Sequence, residues 1–265
     1  MKYQLFPLGY RCSSAGILKQ LQLKTESYPF DWLVSRLPVI QHCLETNFQY
    51  FIEDISNNYA QYKTITQHYE FDGTTTFICD ETVVANTYYA QMSIHPVYYT
   101  QPLQSPRDTY AFPLVMNHHN IFTQSDFDYY QRCIQRFKNL LTQPTQPTMY
   151  LYIHPALSTT EYELHKAALI SEVVNFQQFL QITYPQTYPK GLAFIPLKTQ
   201  HPYPITNVYP NPIETIHNTL NTENEAQCII HIVYMNKDFI DAGEIFMRNA
   251  YIETDAIIAY IKQMI

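Results

Sequence analysis

Glycine is scarce in this chain, five residues in 265, and neither a G-x-G-x-x-G nor a G-K-[ST] pattern occurs. Gly9 therefore fits a glycine-rich cradle for nucleotide phosphates poorly. Basic residues are few and scattered, 16 Lys and Arg against 23 Asp and Glu with a net charge of −7, so no nucleic-acid partner is expected. The five cysteines (Cys12, Cys43, Cys79, Cys133, Cys228) are odd in number and include no C-x-x-C pair, which argues against a disulfide framework and a zinc knuckle. Ten histidines show no H-x-x-x-H or H-E-x-x-H spacing, so no metal is expected, and nothing calls for a cofactor. No stretch approaches the roughly 20 apolar residues that span a bilayer. The segment Met1 to Tyr10, broken by Gln4 and Pro7, is no signal-peptide core. These absences point to a cytoplasmic protein, with secretion by an apparatus that uses no cleaved leader left open.

What the chain does have is apolar material. It is 46% hydrophobic and only 15% charged, well clear of the disordered class, and it carries 24 Tyr and 15 Phe beside one Trp. Tyrosine joins a large apolar body to one polar tip, so the aromatics serve first as core and only second as a binding face for a glycan or a protein.

The patterning predicts strands alternating with helices. Tyr3 to Leu8 reads as a strand ending at Gly9, and Ser13 to Leu23 as a helix. The segment Ser27 to Leu33 suits a packed loop, and Leu37 to Phe51 has helical spacing. From Tyr59 to Tyr110 the composition is β-like, with Thr74–Cys79 and Thr82–Tyr89 as strands. Several prolines up to Pro113 mark an irregular connection. Ser125 with Asp128 looks like the start of a helix running to about Leu141, and Thr160 with Glu163 like the start of a second, longer one. Met149–Ile153, Gly191–Leu197 and Cys228–Tyr234 read as buried strands; Asn211-Pro212 reads as the start of a short helix, and the chain from Thr254 is helical. Alternation of this kind implies parallel pairing with helices on both faces. The expectation is one α/β domain over residues 1–265, three-layered, with a mostly parallel central sheet and a β-rich insertion at 59–113.

In such a sheet the site lies beyond the carboxyl ends of the strands, where Gly9 to Cys12 falls. A cysteine at a helix start has its thiolate favoured by unsatisfied backbone N–H groups, with Arg11 adding positive charge. The N–H groups at Ser13 and Ser14 suit an oxyanion hole. The plain alternative is a small buried Cys12 in a tight turn. His154, closing a buried strand, is a candidate base, whereas His231 in an apolar run suits the core. Asp31, between Phe30 and Trp32, is either a loop-capping carboxylate or an orienting acid and substrate contact.

The segments Leu8-Gly9-Tyr10-Arg11-Cys12-Ser13-Ser14-Ala15, Ser27-Tyr28-Pro29-Phe30-Asp31-Trp32-Leu33, His119-Asn120 and the helix ending in Arg136-Phe137 together resemble a family of bacterial and viral proteins described as putative papain-like cysteine peptidases. The resemblance implies Cys12 as nucleophile and His119 as its base, with His118 a competitor. The family's His-Asp pair stands here as His119-Asn120, and an Arg of the family aligns with His154. Asn is able to orient an imidazole, so Asn120 or Asp31 would serve that role. Gly9, Arg11, Ser13, Trp32, His118 and His154 are then the substrate-side residues.

Three functions compete on the sequence. The first is a thiol-dependent hydrolase or transferase, peptidase-like by resemblance, acting on a protein or a smaller substrate. The second is a sugar or nucleotide-sugar transferase in which Cys12 is structural. The third is a non-catalytic protein that uses its tyrosines to bind a host or partner protein.

Overall fold

The computed structural model describes residues 3–9, 13–53, 62–67, 81–86, 88–89, 114–116, 119–154, 157–187, 190–199, 213–220, 227–236 and 257–263. The central sheet is built from β1 (Gln4–Gly9), β6 (Thr148–Ile153), β8 (Lys190–Thr199) and β10 (Gln227–Asn236), in the spatial order β1-β6-β8-β10 and all parallel. The last place is taken by β9 (Ile213–Leu220), antiparallel to β10, and the short β7 (Leu157–Ser158) adds to the far end of β8.

Both faces of these strands are covered, which is why they read as near-continuous apolar runs. Leu5, Met149, Leu151, Ile153, Leu192 and Phe194 point to one side, where they meet α1 (Ser13–Gln20) through Ile17 and Leu18 and the C-terminal helix (257–263) through Ile257, Ile258 and Ile261. Phe6, Leu8, Tyr150, Tyr152, Ala193 and Ile195 point to the other. There they join α2 (Leu37–Glu45), α3 (Gln124–Thr142) and α4 (Thr159–Thr183). Phe6, Tyr28, Phe30, Phe48, Phe51 and Phe137 pack edge-to-face or stacked, with neighbouring centroids 5.6 to 6.4 Å apart. The aromatics therefore knit the core, as their abundance suggested. The architecture is the expected α/β fold with helices on both faces.

A second sheet is antiparallel throughout, in the order β2-β5-β4-β3: β2 (Leu33–Ser35), β5 (Leu114–Met116), β4 (Glu81–Asn86) and β3 (Tyr62–Gln67). β4 occupies most of the span read as Thr82–Tyr89; the span Thr74–Cys79 and the proline-marked connection lie outside the described residues. β2 starts at the last residue of the segment read as a loop and runs on to Ser35, and three residues are too few to show a period.

Other boundaries differ from the sequence reading. Ile213–Leu220 is a strand, where Asn211-Pro212 suggested a helix; its Ile and Thr residues suit an edge strand, and pairing with β10 decides the matter. The helix read as running to Phe51 ends at Glu45, after which Asn47 and Phe48 adopt positive φ and a π-helical turn covers Gln49–Glu53. α3 starts two residues earlier than Ser125 and Asp128 implied, with Thr123 as its N-cap.

Gly191 lies tight against the side chains of Tyr150 and Gln177. A Cβ there would run into the Tyr150 hydroxyl and lie 2.7 Å from Gln177 Oε1, both on buried side chains. Gly191→Ala is expected to cost about 1–3 kcal/mol, seen as a lower urea midpoint with an unchanged slope.

Candidate active site

The parallel register aligns Gly9 with Ile153 and Ile153 with Phe194, so β1 and β6 end level with each other. Whatever follows them emerges at one carboxyl edge. Past β1 come Tyr10, Arg11 and Cys12, and then α1 from Ser13; Tyr10, Arg11, Cys12 and His118 lie outside the described residues. Past β6 comes His154, buried, its N–H donating to the Phe194 carbonyl at 2.8 Å and its ring edge-on to Tyr152 at 6.3 Å. That contact puts the imidazole on the same sheet face as Tyr152 and Leu8. The edge is pinned by two buried serines: Ser35 Oγ donates to the Gly9 carbonyl at 2.5 Å, and Ser14 Oγ to the Leu8 carbonyl at 3.2 Å. The first of these ties β2 of the second sheet to the end of β1.

His119 comes to this side of the molecule by a different route. α3 enters β6 through the short 143–147 link, at the opposite edge of the sheet, where Gln4 N–H donates to Pro147 O at 2.8 Å. Phe137 packs on Phe6 at 5.6 Å. From Phe137 back to Asp126 the helix rises about 16 Å, whereas Phe6 to Gly9 is only about 10 Å of strand. The first turn of α3 therefore lies toward the carboxyl edge.

That turn holds the imidazole firmly. Asp126 Oδ1 lies 3.0 Å from His119 Nδ1, and its Oδ2 accepts the Asn120 N–H at 2.8 Å. The ring stacks on Tyr129 with centroids 4.5 Å apart and meets Tyr130 edge-on at 5.5 Å. A carboxylate only accepts, so Nδ1 carries a hydrogen directed at Asp126, and in the neutral form of the ring the lone pair is on Nε2. Burial pushes the Asp126 carboxyl up, but hydrogen bonds from His119, the Asn120 N–H and Thr123, with the imidazole's charge, outweigh it and hold the group below its ordinary value. Its place in the first helical turn works in the same direction. Asn120 Oδ1 accepts the Phe122 N–H at 3.1 Å, closing the loop before the helix. Asp126 was not among the sequence candidates. Its signal was the capping box Thr123-x-x-Asp126, displaced by two residues from the one that was read.

Asp31 and Trp32 sit just before β2. Asp31 is buried, and its Oδ2 accepts the Tyr28 N–H at 3.0 Å and pairs with Lys24 Nζ at 2.6 Å. Burial pushes its carboxyl up to about 6 even though Lys24 and the Tyr28 N–H pull the other way. Trp32 is half-buried beside it.

The described cysteines are poor nucleophiles. Cys43, Cys133 and Cys228 are all buried. Burial pushes the Cys43 thiol up to about 12, the Cys228 thiol up to about 11, and the Cys133 thiol in the same direction. Among the described residues no group of three His, Cys, Asp or Glu side chains is placed to hold a metal ion, and no helix is long and apolar enough to cross a membrane.

A parallel sheet with helices on both faces, and with His154 just past the end of β6, defines a protein of the α/β class with its candidate site at the carboxyl edge. The chain belongs to the family described as putative papain-like cysteine peptidase, whose model matches residues 3–181, so the resemblance read from the motifs holds. No match is found among curated proteins or among solved structures.

The raised value of Asp31 has a definite sign in stability. The folded protein binds this proton more tightly than the unfolded chain does, so the contribution is fully present below the ordinary carboxyl value and is lost as pH rises through about 6. Asp31→Asn cannot ionise. The difference in unfolding free energy between wild type and variant should change by about 2–3 kcal/mol between the two ends of that range, in favour of wild type at the acid end, as urea titrations at a series of pH values would show.

Proposed function

We propose that the protein is a thiol-dependent acyl hydrolase or acyl transferase, peptidase-like in its chemistry, with Cys12 as nucleophile and His119 as general base. The observation that carries the proposal is the His119 ring, held at Nδ1 by Asp126 on the carboxyl-edge side of the sheet with Nε2 left to take a proton. Supporting it are the family membership, the position of Cys12 immediately before the first residue of α1, and the burial that keeps Cys43, Cys133 and Cys228 protonated.

In this mechanism His119 Nε2 takes the thiol proton, and the Cys12 sulfur attacks the carbonyl carbon of an amide, isopeptide or ester. The carbonyl π electrons move to oxygen, where N–H groups at the start of α1 stabilise the oxyanion. Collapse of that intermediate breaks the bond to the leaving nitrogen or oxygen, which takes the proton from the imidazolium and departs, leaving a thioester. Water, or an acceptor amine or hydroxyl, then attacks the thioester and returns the proton to the sulfur by way of His119. Asp126 keeps the ring in the tautomer this cycle needs. His154, Gly9, Arg11, Ser13, Trp32 and His118 are proposed to line the substrate side, with Asn120 supporting the His119 turn and Asp31 acting at a distance.

Exposure to an activated acyl ester followed by intact mass analysis tests the proposal. One acyl group should add to the wild type and map to Cys12, and Cys12→Ala should lose both the adduct and any turnover. Asp126→Ala should slow acylation by roughly 10–100-fold through misplacement of the ring. An adduct spread over several cysteines, or one that survives Cys12→Ala, would overturn the assignment.

A further inference from the structure

The joint between the helix layer and the second sheet carries an aromatic cluster that the acylation cycle leaves unused. Tyr50, in the π-helical turn after α2, and Tyr88, just past β4, are both half-buried and lie face to face. Their ring centroids are 4.1 Å apart and their planes 3° from parallel. That is closer than the roughly 4.5–7 Å at which aromatic pairs ordinarily meet. Asn86 holds the two segments in this relation. Its side chain is buried; Nδ2 donates to the Tyr50 carbonyl at 2.8 Å, and Oδ1 accepts the Tyr89 N–H at 3.2 Å. The His42 ring closes one side of the stack, 5.7 Å from Tyr50 and 5.9 Å from Tyr88, and its Nδ1 is hydrogen-bonded to the Tyr89 hydroxyl at 3.3 Å.

We propose that Tyr50 and Tyr88 form an oxidative cross-linking site, at which a peroxidase fed with hydrogen peroxide joins the two rings as a dityrosine. This modification is independent of the thiol chemistry and uses none of its groups. Each phenol gives up one electron and its hydroxyl proton, leaving a phenoxyl radical whose spin is shared onto the ring carbons beside the oxygen. The two radicals couple through one such carbon on each ring, and a C–C bond forms. The hydrogen on each coupled carbon then moves to the oxygen of its own ring, and both rings regain their aromaticity. The two electrons and two protons reduce one hydrogen peroxide to two waters, so the protein ends two hydrogens lighter. Coupling turns the rings out of parallel, a motion that half-buried side chains are free to follow.

Proximity selects this pair from the 24 tyrosines of the chain. A ring already in contact with a phenoxyl radical meets it in an effectively unimolecular step, which any distant partner reaches only by collision. Tyr88 with Tyr89 and Tyr129 with Tyr130 also touch, at 5.3 and 5.5 Å, but those rings cross at 88° and 72°. Each of those pairs, moreover, joins sequence neighbours, one of which is buried. A bond between Tyr50 and Tyr88 fastens the end of β4 to the turn after α2 and closes a loop over residues 51–87 that carries β3 and β4. It restrains the unfolded chain as a disulfide of that span does.

The test uses the full chain with its accessible thiols alkylated, treated with hydrogen peroxide and a haem peroxidase. The wild type should gain the blue emission of a biphenol. Digestion and mass analysis should give a linked peptide pair bearing Tyr50 and Tyr88, two hydrogens lighter than the sum of its parts, in a yield unchanged when the protein is diluted about tenfold. Tyr50→Phe and Tyr88→Phe keep an aromatic ring in the stack but lack the hydroxyl, so each should lose that linked pair and cut the emission about tenfold or more. The two variants are independent, and if one fails to fold the other decides. Linkage that maps to other tyrosines or joins two chains overturns the site. So does emission undiminished in a folded variant, or a wild type that forms no biphenol while free tyrosine in the same mixture is converted.

Discussion

Parallel pairing of β1 with β6, in the register that sets Gly9 against Ile153, is the constraint on which the remaining geometry depends. It brings the ends of two strands some 140 residues apart in sequence to one level. The register is strongly specified because a slip of one residue would turn Phe6 and Leu8 from the face covered by α2, α3 and α4 to the face covered by α1. Burial on both faces leaves no solvent side on which such an error could be tolerated. The Ser35 hydroxyl on the Gly9 carbonyl then fastens the second sheet to the same point.

On this frame two carboxylates are driven in opposite directions by their surroundings. Asp126, in the first turn of α3 and partly open to water, gathers an imidazole and a backbone N–H and is held as a charged acceptor. Asp31, sealed beneath the 24–31 segment with a single ammonium for company, is pushed toward the neutral form. Environments that split two like groups in this way commonly give them different tasks. Here the first touches the imidazole and the second is bound to Lys24 and the Tyr28 N–H. The same burial that raises Asp31 also silences Cys133 on the facing helix, so the interior beneath the 24–31 segment organises without offering a nucleophile of its own.

Much of the fold was legible in the residues. The apolar runs at Met149–Ile153, Gly191–Leu197 and Cys228–Tyr234 are three of the four parallel strands, because strands buried on both faces must be apolar throughout. The strand from Ile213 was misread because Asn-Pro resembles a helix start and because edge pairing with β10, a tertiary event, is invisible locally. At the site, His119 stood out through its motif, whereas its carboxylate partner did not. Asp126 lies seven residues away and becomes a neighbour only because the loop from Asn120 folds back onto the helix N-terminus.

The central claim is that an imidazole held by Asp126 primes the sulfur of Cys12. The most direct measurement is the rate of Cys12 alkylation by iodoacetamide as a function of pH in the wild type, His119→Ala and His154→Ala. The account predicts reaction persisting well below the ordinary thiol value of about 8.5 in the wild type and His154→Ala, and loss of that low-pH limb in His119→Ala. A single rise near the ordinary thiol value, the same in all three proteins, would contradict it.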